Sequence, residues 1–179
     1  MITPITNPDD IIILLRKEIM NQLSLDGKYV VNALSVYGPD MNVGQTNTAF
    51  NSVKPTDTFI IFELEEENGN DNMQEDMGDH ILTYVEYSFN LYIYGNKSGI
   101  NSHILRSRLV SPELIEGLEE KGIHIRTVEE PTSINEFINN VMWQRRDMSI
   151  HISVRYDVNK INNYQSFEKL NETEIDKYE

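Results

Sequence analysis

Two stretches, TYVEYSFNLYIYG at residues 83–95 and RRDMSIHISVRYDV at 145–158, alternate apolar and polar side chains with a period of two. That period suits an extended strand with one buried face and fits no helix. In the first stretch Val85, Tyr87, Phe89, Leu91 and Ile93 take one face, and Tyr84, Glu86, Ser88, Asn90 and Tyr92 the other. In the second, Ile150, Ile152, Val154 and Tyr156 oppose Ser149, His151, Ser153 and Arg155. The chain is thereby committed to a sheet with at least one dry face, which other elements must cover.

The cover is announced by proline-led helices. In NPDDIIILLRKEIMNQL, Asn7 can cap, Pro8 fits the first helical position, and Asp9 and Asp10 suit the positive end of the dipole. A helix over 8–24 follows, with Ile12, Leu15, Ile19 and Leu23 as its apolar stripe and Ile11 widening it. Arg16, Lys17 and Asn21 take the solvent side, and Gly27 ends the helix in the left-handed region. After GNKSG the period turns helical again, with Ile100, Ile104, Leu105 and Leu109 on one side. SPELIEGLEEKG then repeats the opening grammar, with Ser111 as cap, Pro112 as first residue and Gly122 as close, so that two short helices, or one kinked at Pro112, are expected.

The remaining segments read as strands and loops. YVVNALSVYG at 29–38 and TFIIFELEE are rich in β-branched and aromatic residues, and 123–129 reads as a further strand. FINNVMWQRRDMSIHISVRYDV supplies a last strand or a strand pair around a turn at Arg145 to Asp147. Residues 39–57 form a long polar loop. Between two strands lies a second loop that is strongly acidic: Glu65, Glu66, Glu67, Asp71, Glu75, Asp76 and Asp79, with no Lys or Arg among them. The expected fold is α+β, a mostly antiparallel sheet with an N-terminal helix and a central helix pair packed on one face. It occupies residues 1–158 as a single domain, followed by a polar, acidic tail over 159–179.

Composition narrows the function. Of 179 residues, 29 are Asp or Glu against 15 Lys or Arg, a net charge of -14, which argues against a protein that grips phosphates. No apolar run approaches the ~20 residues that span a bilayer, and MITPITNPDD lacks the basic and apolar regions of a signal peptide. No membrane association is expected. Cys 0 removes disulfides and thiolate metal sites, and suits a reducing compartment.

Catalytic motifs are missing. His80, His103, His124 and His151 are scattered without metal-ligand spacing, and DNMQEDMGD lacks the ligand pattern of an EF-hand. There is no phosphate loop, dinucleotide fingerprint or nucleophile elbow. The expectation is a protein that is not an enzyme and has no catalytic residue, cofactor or metal. Candidate subunit-interface residues are Tyr84 and Tyr92, on the outer strand face, with Arg145, Arg146 and Arg155 available to acids of a neighbouring chain. The alternatives are tyrosines lying across a solvated sheet or under a helix, and arginines that merely flank a strand.

The element order, with YVEYSFNLYIYGNKSG leading into a helix and the late WQRRDMSIHISVRYDV, resembles the tail-terminator and neck proteins of tailed bacteriophages and related contractile systems. The likeness covers residues 5–158. It implies an α+β subunit of a ring, usually a hexamer, that caps the tail tube or sheath, ends its polymerisation and joins it to the head connector. The implied partners are further copies of the chain, the tail tube or sheath protein, and a head connector or neck protein. The implied location is the tail or neck of the virion, assembled in the host cytoplasm, with DNA passing through unbound. Exposed strands such as 149–156 could extend a sheet into the neighbour. The acidic loop would face the lumen or the adjoining ring. The resemblance assigns no role to the long loops at 39–57 and 65–80 or to the acidic tail. Other readings are a different head-tail connector, head-completion or baseplate-type structural protein, or a small enzyme or regulatory binding module.

Overall fold

The two alternating stretches become β4 (His80–Tyr94) and β7 (Val141–Asn159), paired antiparallel over fifteen consecutive positions from His80↔Asn159 to Tyr94↔Arg145. The structure is a computed structural model that describes residues 8–33, 50, 53–66, 74–76, 78 and 80–159. β2 (Phe59–Glu66) runs antiparallel along the other edge of β4, and β1 (Val30–Asn32) lies parallel to β2. A short β3 (Gln74–Asp76) pairs with residues 81–83 of β4. Along the far edge of β7 lie β5 (Ile123–Val128) and then β6 (Thr132–Ile138), both antiparallel to it. The sheet is mostly antiparallel with one parallel pair, as an α+β architecture requires.

Among the described residues three helices cover one face: α1 (Pro8–Leu23), α2 (Ser98–Leu109) and α3 (Pro112–Glu119). Ile11, Leu15 and Ile19 of α1 pack with Leu105 and Leu109 of α2 and Leu114 and Leu118 of α3. Against them stand Ile60, Phe62, Phe89, Leu91, Ile93, Ile150, Ile152 and Val154 from the three central strands. Each such side chain, buried, contributes about 1.5–3 kcal/mol relative to exposure, and this face is the main core.

Several expectations change. The stripe of α1 holds Leu15 and Ile19 as expected but is centred on the line they make with Ile11, while Ile12 and Leu23 pack partly buried against its margin. Its end is made by Ser24, at φ 52, with the Leu25 N–H donating to the Met20 carbonyl at 3.0 Å; Gly27 instead opens a 3-10 turn. Arg16 is not a solvent residue, because its guanidinium donates to the carbonyls of Gly27 at 2.7 Å and Val30 at 2.8 Å and ties α1 to β1. In α2 the buried face is Ser98, Ser102, Leu105 and Leu109, while Ile100 and Ile104 point outward. Small serines let the helix sit close to the sheet, so apolarity alone indicated the wrong stripe. Of the 29–38 strand, only Val30–Asn32 is strand among the described residues. The capping role of Asn7 and the tail 160–179 lie outside them.

The turn expected at Arg145 to Asp147 is displaced. Those residues sit in mid-strand, and the chain reverses at Asn139 and Asn140, with φ of 51 and 62. Two consecutive positive φ values make the primed turn that matches strand twist, and asparagine tolerates them. The strand 149–156 is likewise no free edge: β4 occupies one side of it and β5 the other over most of its length.

The reverse face of the sheet is not uniformly wet. At the Tyr94 end, Phe59, Ile61, Tyr94 and Trp143 form a second core with Ala33, Phe50 and Val53. Phe50, from the stretch read as polar loop, places its ring 5.1, 4.9 and 5.0 Å from Phe59, Tyr94 and Trp143, near perpendicular to each.

Gly95 locks this corner. Its N–H donates to the Gln144 carbonyl at 2.9 Å, its φ is +112, and a Cβ there would fall 2.0 Å from the Asp57 carbonyl oxygen. Gly95→Ala is therefore expected to cost about 3 kcal/mol or more in urea unfolding, while Gly117→Ala, with open space around its Cβ, is expected to leave the midpoint unlowered.

Candidate functional site

The reverse face changes character along the β4–β7 ladder. Beyond the second core comes an ionic cluster around Arg145, then a polar field of Ser88, Asn90, Ser149, His151 and Ser153. Arg145 stands on that face because it follows Trp143 by two residues, and Asp147 follows by two more. Its Nε and Nη2 donate to the two carboxylate oxygens of Asp147 at 2.5 and 2.6 Å. Its Nη1 donates to Glu136 at 2.7 Å, and the Tyr94 hydroxyl donates to the same carboxylate at 2.9 Å. The guanidinium carbon lies 4.8 Å from the Tyr92 ring centre, and the Tyr92 hydroxyl donates to Glu63 at 3.2 Å.

Burial works against the charged guanidinium. The Asp147 and Glu136 hydrogen bonds and the neighbouring Tyr94 outweigh it, and Arg145 is held above the ordinary arginine range. Burial first, then the Glu63 carboxylate, pushes the Tyr92 phenol up to about 12, so it is a neutral donor at physiological pH. Arg145 is thus a lock: 19% of its side chain is exposed, and it joins β7 to β6 through Glu136 and to β4 through the Tyr92 and Tyr94 rings, with Asp147 of its own strand as the second acid.

The five candidate interface residues do not converge. Tyr92 and Arg145 belong to this cluster. Tyr84 and Arg155 face each other across the ladder, eight residues along β4 from Tyr92, or about 27 Å. Arg146 lies on the opposite, helix-bearing side, where its guanidinium approaches Gly99 at the start of α2.

Among the acidic-loop residues, Glu65 and Asp76 are exposed, and Asp76 accepts the Gly78 N–H at 2.9 Å. Glu66 pairs in register with Tyr87, and Glu75 with Leu82. The described acids therefore line one edge of β4, on β2 and β3, rather than forming an open hairpin loop. Glu67, Asp71 and Asp79 lie outside the described residues.

The histidines act locally. His124 pairs with Glu119 at 2.8 Å and His151 with Glu129 at 3.4 Å. Among the described residues no group of three His, Cys, Asp or Glu side chains could hold a metal, and no helix is long and apolar enough to cross a membrane. Sequence reasoning missed the β6–β7 hairpin as a unit; the signal was the Asn139-Asn140 pair between FI and VMW.

A family model described as phage neck terminator protein matches residues 15–176. No curated protein matches the chain.

Arg145→Ala would leave Glu136 and Asp147 without their shared cation, an expected loss of about 3 kcal/mol in urea unfolding. Arg145→Lys, which keeps the charge and loses the fork, should recover less than half of it; full recovery would mean that the fork geometry contributes nothing.

Proposed function

This chain belongs to the phage neck terminator protein family, and from that premise we propose that it forms a closed ring, six copies around, that caps the finished tail. In this reading the ring ends polymerisation of the tail tube or sheath and offers its other face to the head connector. The protein is a structural component of the virion's neck. The observation that carries the reading is the family match over 15–176, which spans every strand of the described sheet, α2, α3 and the second half of α1.

The architecture suits such a role. A ring subunit needs rigid surfaces more than a cleft, and a sheet with helices on one side and an aromatic plug at one end of the other is rigid over most of its area. The charge of -14 suits a conduit, because a lumen that repels phosphate lets DNA pass without sticking. We place the acids from Glu65 to Asp79 on the lumen or on the adjoining ring, with assembly taking place in the host cytoplasm. Tyr84 and Arg155 remain interface candidates, since each is only partly buried within its own chain.

The test is a phage lacking this protein. Filled heads and unjoined tails of uneven length are expected by electron microscopy; joined particles with tails of normal length would remove the terminator role. In particles complemented with a chain whose acids from Glu65 to Asp79 are replaced by their amides, joining should persist while genome ejection slows. Ejection at the normal rate would remove these acids from the conduit.

A further inference from the structure

Eight large apolar side chains are exposed among the described residues, and four of them, Ile134, Phe137, Val141 and Met142, lie on the β6–β7 hairpin. Phe137 is 69% exposed and Met142 50%, and the two face each other across the strands. Residues 141–144 of β7 have β6 as a partner but not β4, so the hairpin runs on for about 13 Å past the last rung of the central ladder. A two-stranded ribbon with apolar rings in water is marginal by itself. Its inner face is anchored by Trp143 and Arg145, and that anchoring presents Phe137 and Met142 outward.

Charge narrows the occupant. On the strip bearing Phe137 and Met142, the alternation also places Ser133, Asn135, Gln144 and Arg146, so its only charge is positive in a chain of net charge -14. The arm complements the acidic body of the same protein, and a contact between an arm and a body is head-to-tail, the kind that closes rings. The strip's one charge is thus opposite in sign to the net charge of the body it would meet.

We infer that the β6–β7 hairpin is the arm by which each copy grips a second copy of this chain, with Phe137 and Met142 as its apolar contact and Arg146 four residues further along the same face of β7. The inference rests on the ring reading given above and adds the surface that makes the ring.

The test places benzoylphenylalanine at position 137 of the full chain and irradiates assembled particles, whose copy number of the protein is counted by quantitative mass spectrometry. Cross-linked dimers in which both peptides come from this chain are expected. With the purified protein, Phe137→Ser combined with Met142→Ser should lower self-association at least tenfold and leave the unfolding midpoint unchanged. Cross-links only to another virion protein, or none, in particles holding several copies would overturn the inference and leave the ring standing. Unchanged self-association of the double variant would overturn it as well. A single copy per particle would defeat the ring, and the inference with it.

Discussion

The structure depends on one ladder, the fifteen paired positions between β4 and β7. Because the side-chain period of a strand is two, the ladder fixes two faces at once. Tyr87, Phe89, Leu91 and Ile93 of β4, with Met148, Ile150, Ile152 and Val154 of β7, build the floor on which the helices sit. The opposite set supplies Tyr92 and Tyr94, Arg145 and Asp147, and the polar field beyond. A slip of one residue would put Arg145 under the helices and the isoleucines into water. The outer strands then have little choice of position: β2 and β3 share the free edge of β4, and β5 and β6 share that of β7.

What the ladder leaves open is its Tyr94 end, and the Arg145 cluster closes it. A guanidinium removed from water is costly unless its donors are met, and here Asp147 offers two acceptors in the matching plane while Glu136 takes a third donor. Since Asp147 sits two residues along the same strand and Glu136 comes from β6, the cluster orients the hairpin relative to the sheet. Phe50 does the same work from the apolar side, wedged among Phe59, Tyr94 and Trp143. Hairpin, sheet and Phe50 therefore meet at one corner, with Gly95 fitted so closely that a side chain has no room.

Much of this was legible in the residues, and the failures share a cause. Period-two alternation located β4 and β7, and proline-led starts located α1 and α3, because those signals are local. Arg145-Arg146-Asp147 read as a turn because three charged residues in a row look solvated. In fact alternate members face opposite sides of the sheet, and the one turned toward the aromatic corner finds its acids there. Ile100 and Ile104 read as core because apolarity was weighed without size, while the close helix–sheet approach selected Ser98 and Ser102. Phe50 was invisible because two of the three rings it touches, Tyr94 and Trp143, are distant in sequence. Of the five candidate interface residues, the reading found real members of the reverse-face cluster in Tyr92 and Arg145. It could not tell that their partners lie within the chain, since strand pairing decides that.

A ring built from such chains faces a particular electrostatic problem. Each copy carries -14, so bringing copies together raises their mutual repulsion at every exposed carboxylate within a screening length, about 8 Å at physiological salt. Contact surfaces are therefore selected where acids are sparse and where short-range apolar burial can outweigh the repulsion that remains. Among the described residues the strip of Phe137 and Met142 meets both conditions, while the acids on β2 and β3 line a different edge of the sheet. The same segregation of charge that would keep phosphate from adhering to a conduit thus leaves the Phe137 and Met142 strip free of acids.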